Sequence, residues 1–523
     1  MAVGPSPGGG PRRVRWLGRV RYRDAAALQR GLHREGRGDW LLLLEHPSVY
    51  TMGLRARAEH VLADPARVGA EFVAADRGGD VTWHGPGQLV GYPIVSVPVR
   101  PGATPAFVAG LEQVVLDAVA DLGLAGAGRL PGLPGVWVGD RKLAAVGVRL
   151  TRGRSMHGFA LNVDPDLTMF DRIVPCGLAD KGVTSLAAEG VRATMAEVVD
   201  AVARRAEVRW GPVERQDVAW EAPRRAEPAG LPISERKPGW MRAPVRMGPE
   251  YLALKQTMRS LDLVTVCEEA GCPNISECWG EGTATFMING SRCTRACGFC
   301  LVDTSRPLAL DGAEPERVAE AVARLGLAHA VVTAVARDDL GDGGAAAFAE
   351  TVAAVRRRCP ATTVEVLIPD CKGDPAALAC VFDARPDVVN HNLETVARLQ
   401  RPARPSASYA RSLAVLARAR AAGLVTKSGL VLGMGETEAE VLGALADLRG
   451  VGVEIVTLGQ YLRPTIGHLP VARWWRPEEF DRLRTAALAM GFAHVEASPL
   501  TRSSYHARAA LAPATTSQAR TTA

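Results

Sequence analysis

Cys293, Cys297 and Cys300 stand three and then two residues apart in the stretch "RCTRACGFC". Cys267, Cys272 and Cys278 stand just upstream in "VCEEAGCPNISEC", so six of the chain's ten cysteines share one short segment. Clustered soft ligands select an iron–sulfur cluster or zinc. A structural zinc site closes its shell with four ligands. C-x3-C-x2-C offers three thiolates, which hold three irons of a cubane cluster and leave the fourth iron without a protein ligand. A zinc knuckle borrowing a distant histidine is the alternative, and the motif's place directly after the apolar run "TATFMI" favours the cluster. Far upstream, Cys176 lies in "IVPCGL" and Lys142 in "GDRKLAAVGVRL". Taken singly, such a thiol is more often buried structure than a nucleophile, and such a lysine a solvated charge. Cys359, Cys371 and Cys380 lack ligand spacing and read as structural thiols.

Two patterns of secondary structure must position these residues. Past Gly230, the apolar runs "TATFMI", "HAVVTAV", "TVEVLI", "DVVNHN", "KSGLVLG" and "EIVTLG" alternate with Ala/Arg-rich helical stretches. Such a βα series implies parallel strands with right-handed crossovers, and six units followed by "AHVEAS" predict an incomplete TIM-like barrel, open along one side. The N-terminal half mixes short strands ("DVTWH", "QLVGYPI", "GVWVG", "KLAAVGVRL", "HGFALNV") with helices such as Thr104 to Leu122, a pattern that predicts an α+β sheet domain. Between 206 and 247 Pro, Arg and Glu accumulate and periodicity is lost, which places the boundary near Gly230. The expected division is a flexible N-terminus over 1–13, a first domain over 14–210, a linker over 211–230, a second domain over 231–507 and a disordered tail over 508–523.

A chain of 523 residues exceeds one ordinary core. Its 47% hydrophobic and 23% charged residues are those of a folded globular protein. The net charge of +6 suits acidic protein partners and is too slight to indicate nucleic acid. No uncharged apolar run reaches the roughly 18 residues of a membrane helix. "MAVGPSPGGGPRR" lacks the apolar core of an export signal. A cytoplasmic location is therefore expected, where thiols stay reduced and clustered cysteines serve as metal or redox ligands.

With Phe299 before its last cysteine, "CTRACGFC" resembles the hallmark of the radical S-adenosylmethionine superfamily. The C-x4-C-x5-C triplet narrows the resemblance to lipoyl synthases, as do "RDDLGDGG", "NHNLETV", "SGLVLGMGET", "GQYLRPT" and "RSSYHA", over roughly Leu231 to Ala507. Gly298 departs from the pattern, standing where a proline is common. The resemblance implies a partial (β/α)6 barrel with two 4Fe-4S clusters and S-adenosyl-L-methionine as cofactors. Cys293, Cys297 and Cys300 would hold the cluster whose open iron binds S-adenosylmethionine for cleavage to a 5′-deoxyadenosyl radical. Cys267, Cys272 and Cys278, with Ser504 preferred over Ser503, would hold an auxiliary cluster that donates sulfur to C6 and C8 of a protein-bound octanoyl group. An electron donor such as ferredoxin or flavodoxin is implied.

In the N-terminal half, "RGGDVTWHGPGQ", "RKLAAVGV", "HGFALNV" and "PCG" occur in the order seen in lipoyl (octanoyl) transferases, over roughly Val14 to Trp210. That resemblance implies the α/β fold of biotin and lipoate protein ligases, with transfer of octanoyl from acyl carrier protein to a lysine of a carrier domain. The carriers implied are the lipoyl domains of 2-oxoacid dehydrogenases and the glycine cleavage H protein. Cys176 would be the nucleophile, since transfer from thioester to amine runs most easily through a second thioester. Lys142, if the fold brings it close, would lower the thiol's pKa and help shuttle protons. Arg77, Gly78, Gly79, Asp80, Val81, Thr82, Trp83, His84, Ala145, Val146, Gly147, Gly158, Phe159 and Ala160 would line the acyl site, His84 orienting rather than reacting. The expected whole is a bifunctional enzyme of lipoate biosynthesis, with neither nucleic acid nor membrane as partner. A lipoate–protein ligase, which adenylates a free acid and needs no cysteine, is the alternative for the first half. For the whole chain the alternatives are an iron–sulfur electron carrier fused to an acyl-binding module, or a different radical enzyme such as biotin synthase.

Overall fold

The continuous apolar run "WLLLLE" makes a strand buried on both faces. The computed structural model describes residues 12–178, 180–220, 230–232, 235–242, 248–265, 268, 274–280, 284–511 and 514. They divide into two units at Trp220/Glu221. The first unit contains β1 (Arg12–Arg19), β2 (Trp40–Glu45), β3 (Val49–Met52), β4 (Glu71–Ala74), β5 (Val81–His84), β6 (Gln88–Ile94), β7 (Ala127–Leu130), β8 (Leu133–Val138), β9 (Arg141–Thr151), β10 (Arg154–Asn162), β11 (Gly182–Val183) and β12 (Val213–Asp217). Its main sheet has the order β12-β1-β2-β6-β10-β9-β8-β7, with β11 against β9, and a smaller sheet has the order β4-β3-β5. β1 runs parallel to β12 and β2, and the pairs from β2 through β6, β10, β9 and β8 to β7 are antiparallel.

The Ala103–Asp121 helix is long and apolar enough, by length and composition alone, to cross a membrane. Here it buries Phe107, Leu111, Val114 and Val115 and touches β8, β9 and the Met195–Trp210 helix. Its buried Glu112 accepts hydrogen bonds from the Arg129 guanidinium and the Gly135 amide.

The stretch expected to start the linker belongs to the first unit. Val213–Asp217 pairs in register with Arg12–Trp16, and Trp220 stacks on Trp16 with ring centroids 4.3 Å apart. β12 is an edge strand whose charges find partners, Glu214 with Arg15 and Arg215 with Asp200 and Asp217. That is why it shows no apolar period.

In the second unit β13 (Val264–Thr265) runs antiparallel to β14 (Ala284–Ile288). β14, β15 (His329–Ala334), β16 (Thr363–Leu367), β17 (Val388–Asn390), β18 (Val425–Leu432), β19 (Ile455–Gln460) and β20 (His494–Ala497) then follow in parallel, in chain order. The helices Glu314–Leu325, Ala345–Arg358, Pro375–Asp383, Tyr409–Ala421, Glu438–Gly450 and Pro477–Ala489 form the six crossovers. The sheet path ends at β13 and β20 without closing, the partial (β/α)6 barrel that the apolar runs predict. The expected disordered tail is partly core: Ala510 and Ala514 pack on Val388, Val425 and Ile455, the first residues of β17, β18 and β19. Alanines at 507, 510 and 514 make a narrow buried face, too weakly apolar to stand out in composition.

Candidate functional site

In the first unit, strand alternation decides which predicted residues reach the cavity. Thr82 and His84 of β5 line it, whereas Val81 and Trp83 point into a core with Tyr50, Met169 and Phe170. The lining also includes Arg77, Gly78, Gly79, Asp80, Ala145, Val146, Gly147, Gly158, Phe159, Ala160 and Cys176. Tyr22, Val90, Tyr92 and His157 join them, of which Tyr22 lies in none of the sequence motifs and His157 opens "HGFALNV" without being among the expected lining residues. Cys176 occupies a one-turn segment, Pro175–Gly177, in left-handed backbone with φ 57°. A residue with a β-carbon adopts that conformation only where its surroundings impose it.

Lys142 is buried but lies outside the lining, its ammonium 4.6 Å from the centroid of the Trp137 ring. No hydrogen bond joins it to Cys176 among the described residues. Arg77 lines the cavity with Cys176 and is held in place by donating to Thr51 Oγ1, Thr51 O and Gly78 O. Burial lowers the Arg77 pKa. His84 is fully enclosed: burial, then His46 and Arg77, push its pKa well below the usual value. The neutral ring is bonded to Gln88 Oε1 at 2.7 Å and Thr51 Oγ1 at 3.3 Å.

In the second unit a cavity of about 230 Å3 opens at the C-terminal ends of β14, β15, β16 and β17. Cys293, Cys297 and Cys300 all line it, with Phe299, Asn392, Glu394 and Arg404. The cysteine loop is tied at both ends. Cys293 N donates to Asp303 O at 2.8 Å, Gly298 N to Ala403 O at 2.9 Å, and the His468 ring bonds Cys300 O at 2.8 Å. Gly298 thus uses the N–H that a proline lacks, and a Cβ there would lie 2.8 Å from Pro402 O. Between the first two cysteines, Arg295 reaches Asp338 at 2.7 Å and buried Asp370 at 2.6 Å, clamping the loop to the strand ends.

The donor set fits a multinuclear cluster. Burial pushes the Cys297 thiol up to about 12, Arg404 opposes this, and Cys300, Glu394 and Cys293 add to it. Among the described residues no three His, Cys, Asp or Glu side chains converge as a single ion requires. Each thiolate of a cubane binds a different corner, so convergence on one point is unnecessary. Glu394 and Arg404 carry no ligand spacing; their signal is a pair of opposite charges just past a barrel strand.

Cys267 and Cys272 lie outside the described residues. Cys278 is half-buried on the Ile275–Gly280 helix, against which the RSSY turn docks: Tyr505 Oη donates to Glu277 at 3.1 Å, and Asn274 Nδ2 to Leu500 O at 2.7 Å. Ser503 Oγ accepts from Asn392 at 2.6 Å. The adjacent Ser504 hydroxyl has no such partner among the described residues.

A family model described as the lipoyl protein ligase A/B catalytic domain matches residues 21–207. Models for the N-terminal domain of lipoyl synthase and for the radical SAM superfamily match residues 219–272 and 287–448. The lipoyl synthase of Rubrobacter xylanophilus is 58% identical over 273 residues, 52% of this chain and 85% of that protein. That of Mycobacterium leprae is 58% identical over 279 residues, 53% of this chain and 88% of that protein. That of Kineococcus radiotolerans is 56% identical over 282 residues, 54% of this chain and 84% of that protein. Among solved structures, a lipoate-protein ligase A bound with ATP is 18% identical, covering 40% of this chain and 90% of that one with a TM-score of 0.35.

Proposed function

The chain belongs to the lipoyl synthase family through its second unit, and on that premise we propose that it carries out two consecutive steps of lipoate assembly. The first unit, which matches the lipoyl protein ligase A/B catalytic domain, transfers octanoyl from acyl carrier protein to a carrier-domain lysine through Cys176. The Cys176 thiolate attacks the thioester carbonyl; its C–S bond forms as the carrier protein's breaks. The lysine amine then attacks, forming the amide C–N bond and freeing Cys176. Lys142 helps move protons to the departing carrier thiol and from the attacking amine, and the neutral His84 orients the wall beside Cys176. A ligase that adenylates a free acid would leave Cys176 idle.

In the second unit Cys293, Cys297 and Cys300 hold one 4Fe-4S cluster, and Cys267, Cys272, Cys278 and Ser504 hold another. When bound, the first supplies the electron that cleaves S-adenosylmethionine, delivered by a ferredoxin- or flavodoxin-like donor, and the second supplies the sulfur inserted at C6 and C8. Glu394 and Arg404 present the opposite charges that an amino-acid zwitterion pairs with. Asn392 occupies Ser503, which leaves Ser504 as the ligand of the RSSY turn. The carriers are lipoyl domains of 2-oxoacid dehydrogenases and the glycine cleavage H protein.

The observation that carries this reading is that Cys293, Cys297 and Cys300 all line one cavity at the strand ends. Anaerobic reconstitution tests it. About eight irons per chain, falling to about four when Cys293, Cys297 and Cys300 are changed to alanine, agree with two cubanes. Zinc, or iron unaffected by the triple change, contradicts them.

A further inference from the structure

The turn that carries Cys176 is mounted on a segment more than a hundred residues upstream. Val61 bridges Ile173 in antiparallel fashion. Leu62 N donates to Arg172 O at 2.9 Å, and Val174 N to His60 O at 2.8 Å. From this short ladder the chain bends through Pro175–Gly177, closed by Gly177 N donating to Val174 O at 3.0 Å.

The outer wall of that bend is a pair of side chains. His60 Nδ1 lies 2.6 Å from Asp80 Oδ2, and Asp80 Oδ1 accepts the Val81 amide at 2.6 Å, so one carboxylate oxygen is held by His60 and the other by the start of β5. The side chains are 19% and 10% exposed. Gly177 sits directly against them: a Cβ there would lie 2.8 Å from Asp80 Oδ2 and 3.2 Å from His60 Cε1. Asp80 lines the cavity together with Cys176. A cysteine in left-handed backbone needs such an external restraint.

We infer that the His60–Asp80 pair is the positioning device of Cys176, holding the turn so that the thiol faces the acyl donor. The inference rests on the acyl-transfer reading above. It assigns the pair no bond to the substrate. Its effect is on the rate at which a bound donor meets the thiol and not on donor binding.

The test is single-turnover acylation of Cys176 in the full chain, with octanoyl-acyl carrier protein as donor and intact mass as readout. His60→Ala is expected to slow acylation 30-fold or more while the donor concentration that gives half the maximal rate stays within twofold, and Asp80→Ala, which also alters the cavity lining, is expected to slow acylation at least as much. His60→Asn, whose amide nitrogen takes the place of Nδ1, is expected to restore the rate to within threefold of wild type. Wild-type rates in both alanine variants would overturn the inference. So would a His60→Asn variant as slow as His60→Ala, because the ring itself would then be required. Should His60→Ala fail to fold, His60→Asn alone decides by the same two limits. A wild-type Cys176 that accepts no octanoyl at all would overturn the acyl-transfer reading, a result distinct from equal rates in wild type and variants.

Discussion

Replacing Lys427 with methionine inside the barrel removes the cation from a pair whose members are each 1% exposed. Both carboxylate oxygens of Glu365 lie 3.0 Å from the Lys427 ammonium, and Asn390 Nδ2 donates to Oε1 at 2.9 Å. Burial alone would raise the Glu365 carboxyl, but Lys427 and His329 outweigh it and bring it down to about 2, from an ordinary value of 4.5. At neutral pH that depression corresponds to roughly 3 kcal/mol of stability. Without Lys427 the carboxylate keeps Asn390 and a histidine nitrogen 3.9 Å away. Breaking a buried pair from one side costs about 3–5 kcal/mol, so the second unit should unfold that much more easily at pH 7. The pH dependence should also change sign. In the wild type the Glu365 contribution is complete above about 4.5 and is lost only as pH falls from there toward about 2. In the variant, burial dominates and the carboxyl titrates high, so acidification neutralises it and the deficit narrows. Urea unfolding of the metal-free chain at pH 7.5, 6 and 5, followed by far-ultraviolet circular dichroism, measures both effects. The double change Glu365→Met with Lys427→Met should recover most of the loss. A single-variant deficit below about 1 kcal/mol, or one that does not narrow on acidification, would refute the reasoning.

Trp83→Ala removes a 2%-exposed indole that meets Phe170 edge-on and donates to Ser48 Oγ at 2.9 Å; the first unit should lose about 3–5 kcal/mol in urea unfolding, with iron content unchanged. Arg295→Met unclamps the cysteine loop from Asp338 and Asp370. It should weaken retention of the cluster at Cys293, Cys297 and Cys300 roughly 10–100-fold, read by competition with a chelator. Ser504→Ala should cost the second cluster one iron, read by Mössbauer spectroscopy, whereas Ser503→Ala, which removes only the acceptor of Asn392, should leave the iron count intact.

Strands β14 to β20 are legible in the sequence because parallel strands covered by helices need apolar residues on both faces, as "HAVVTA" and "ATFMI" show. β12 is not, because an edge strand that satisfies Glu214 and Arg215 with ion pairs has no such requirement. The buried face made by Ala510 and Ala514 is equally hidden, since alanine neither marks nor excludes a core. At the sites, spacing exposes ligands that lie on one loop, as with Cys293, Cys297 and Cys300. It does not expose His60 with Asp80, which meet only because the segment 60–62 pairs with 172–174. Nor does it show that Lys142 rests on Trp137 while Arg77 lines the cavity with Cys176. Alternation along β5, in which Val81 and Trp83 turn to the core, follows from strand geometry, which a motif taken as one block does not express.

The central claim is that one chain performs both steps, and the mass of the carrier domain tests it most directly. The reconstituted chain is incubated anaerobically with octanoyl-acyl carrier protein, unmodified lipoyl domain, S-adenosylmethionine and a reductant, and the lipoyl domain is weighed. The wild type should yield the lipoylated domain, Cys293→Ala with Cys297→Ala and Cys300→Ala should stop at the octanoylated domain, and Cys176→Ala should leave the domain unmodified. A lipoylated domain formed by the Cys176 variant, or by the triple cysteine variant, would contradict the account.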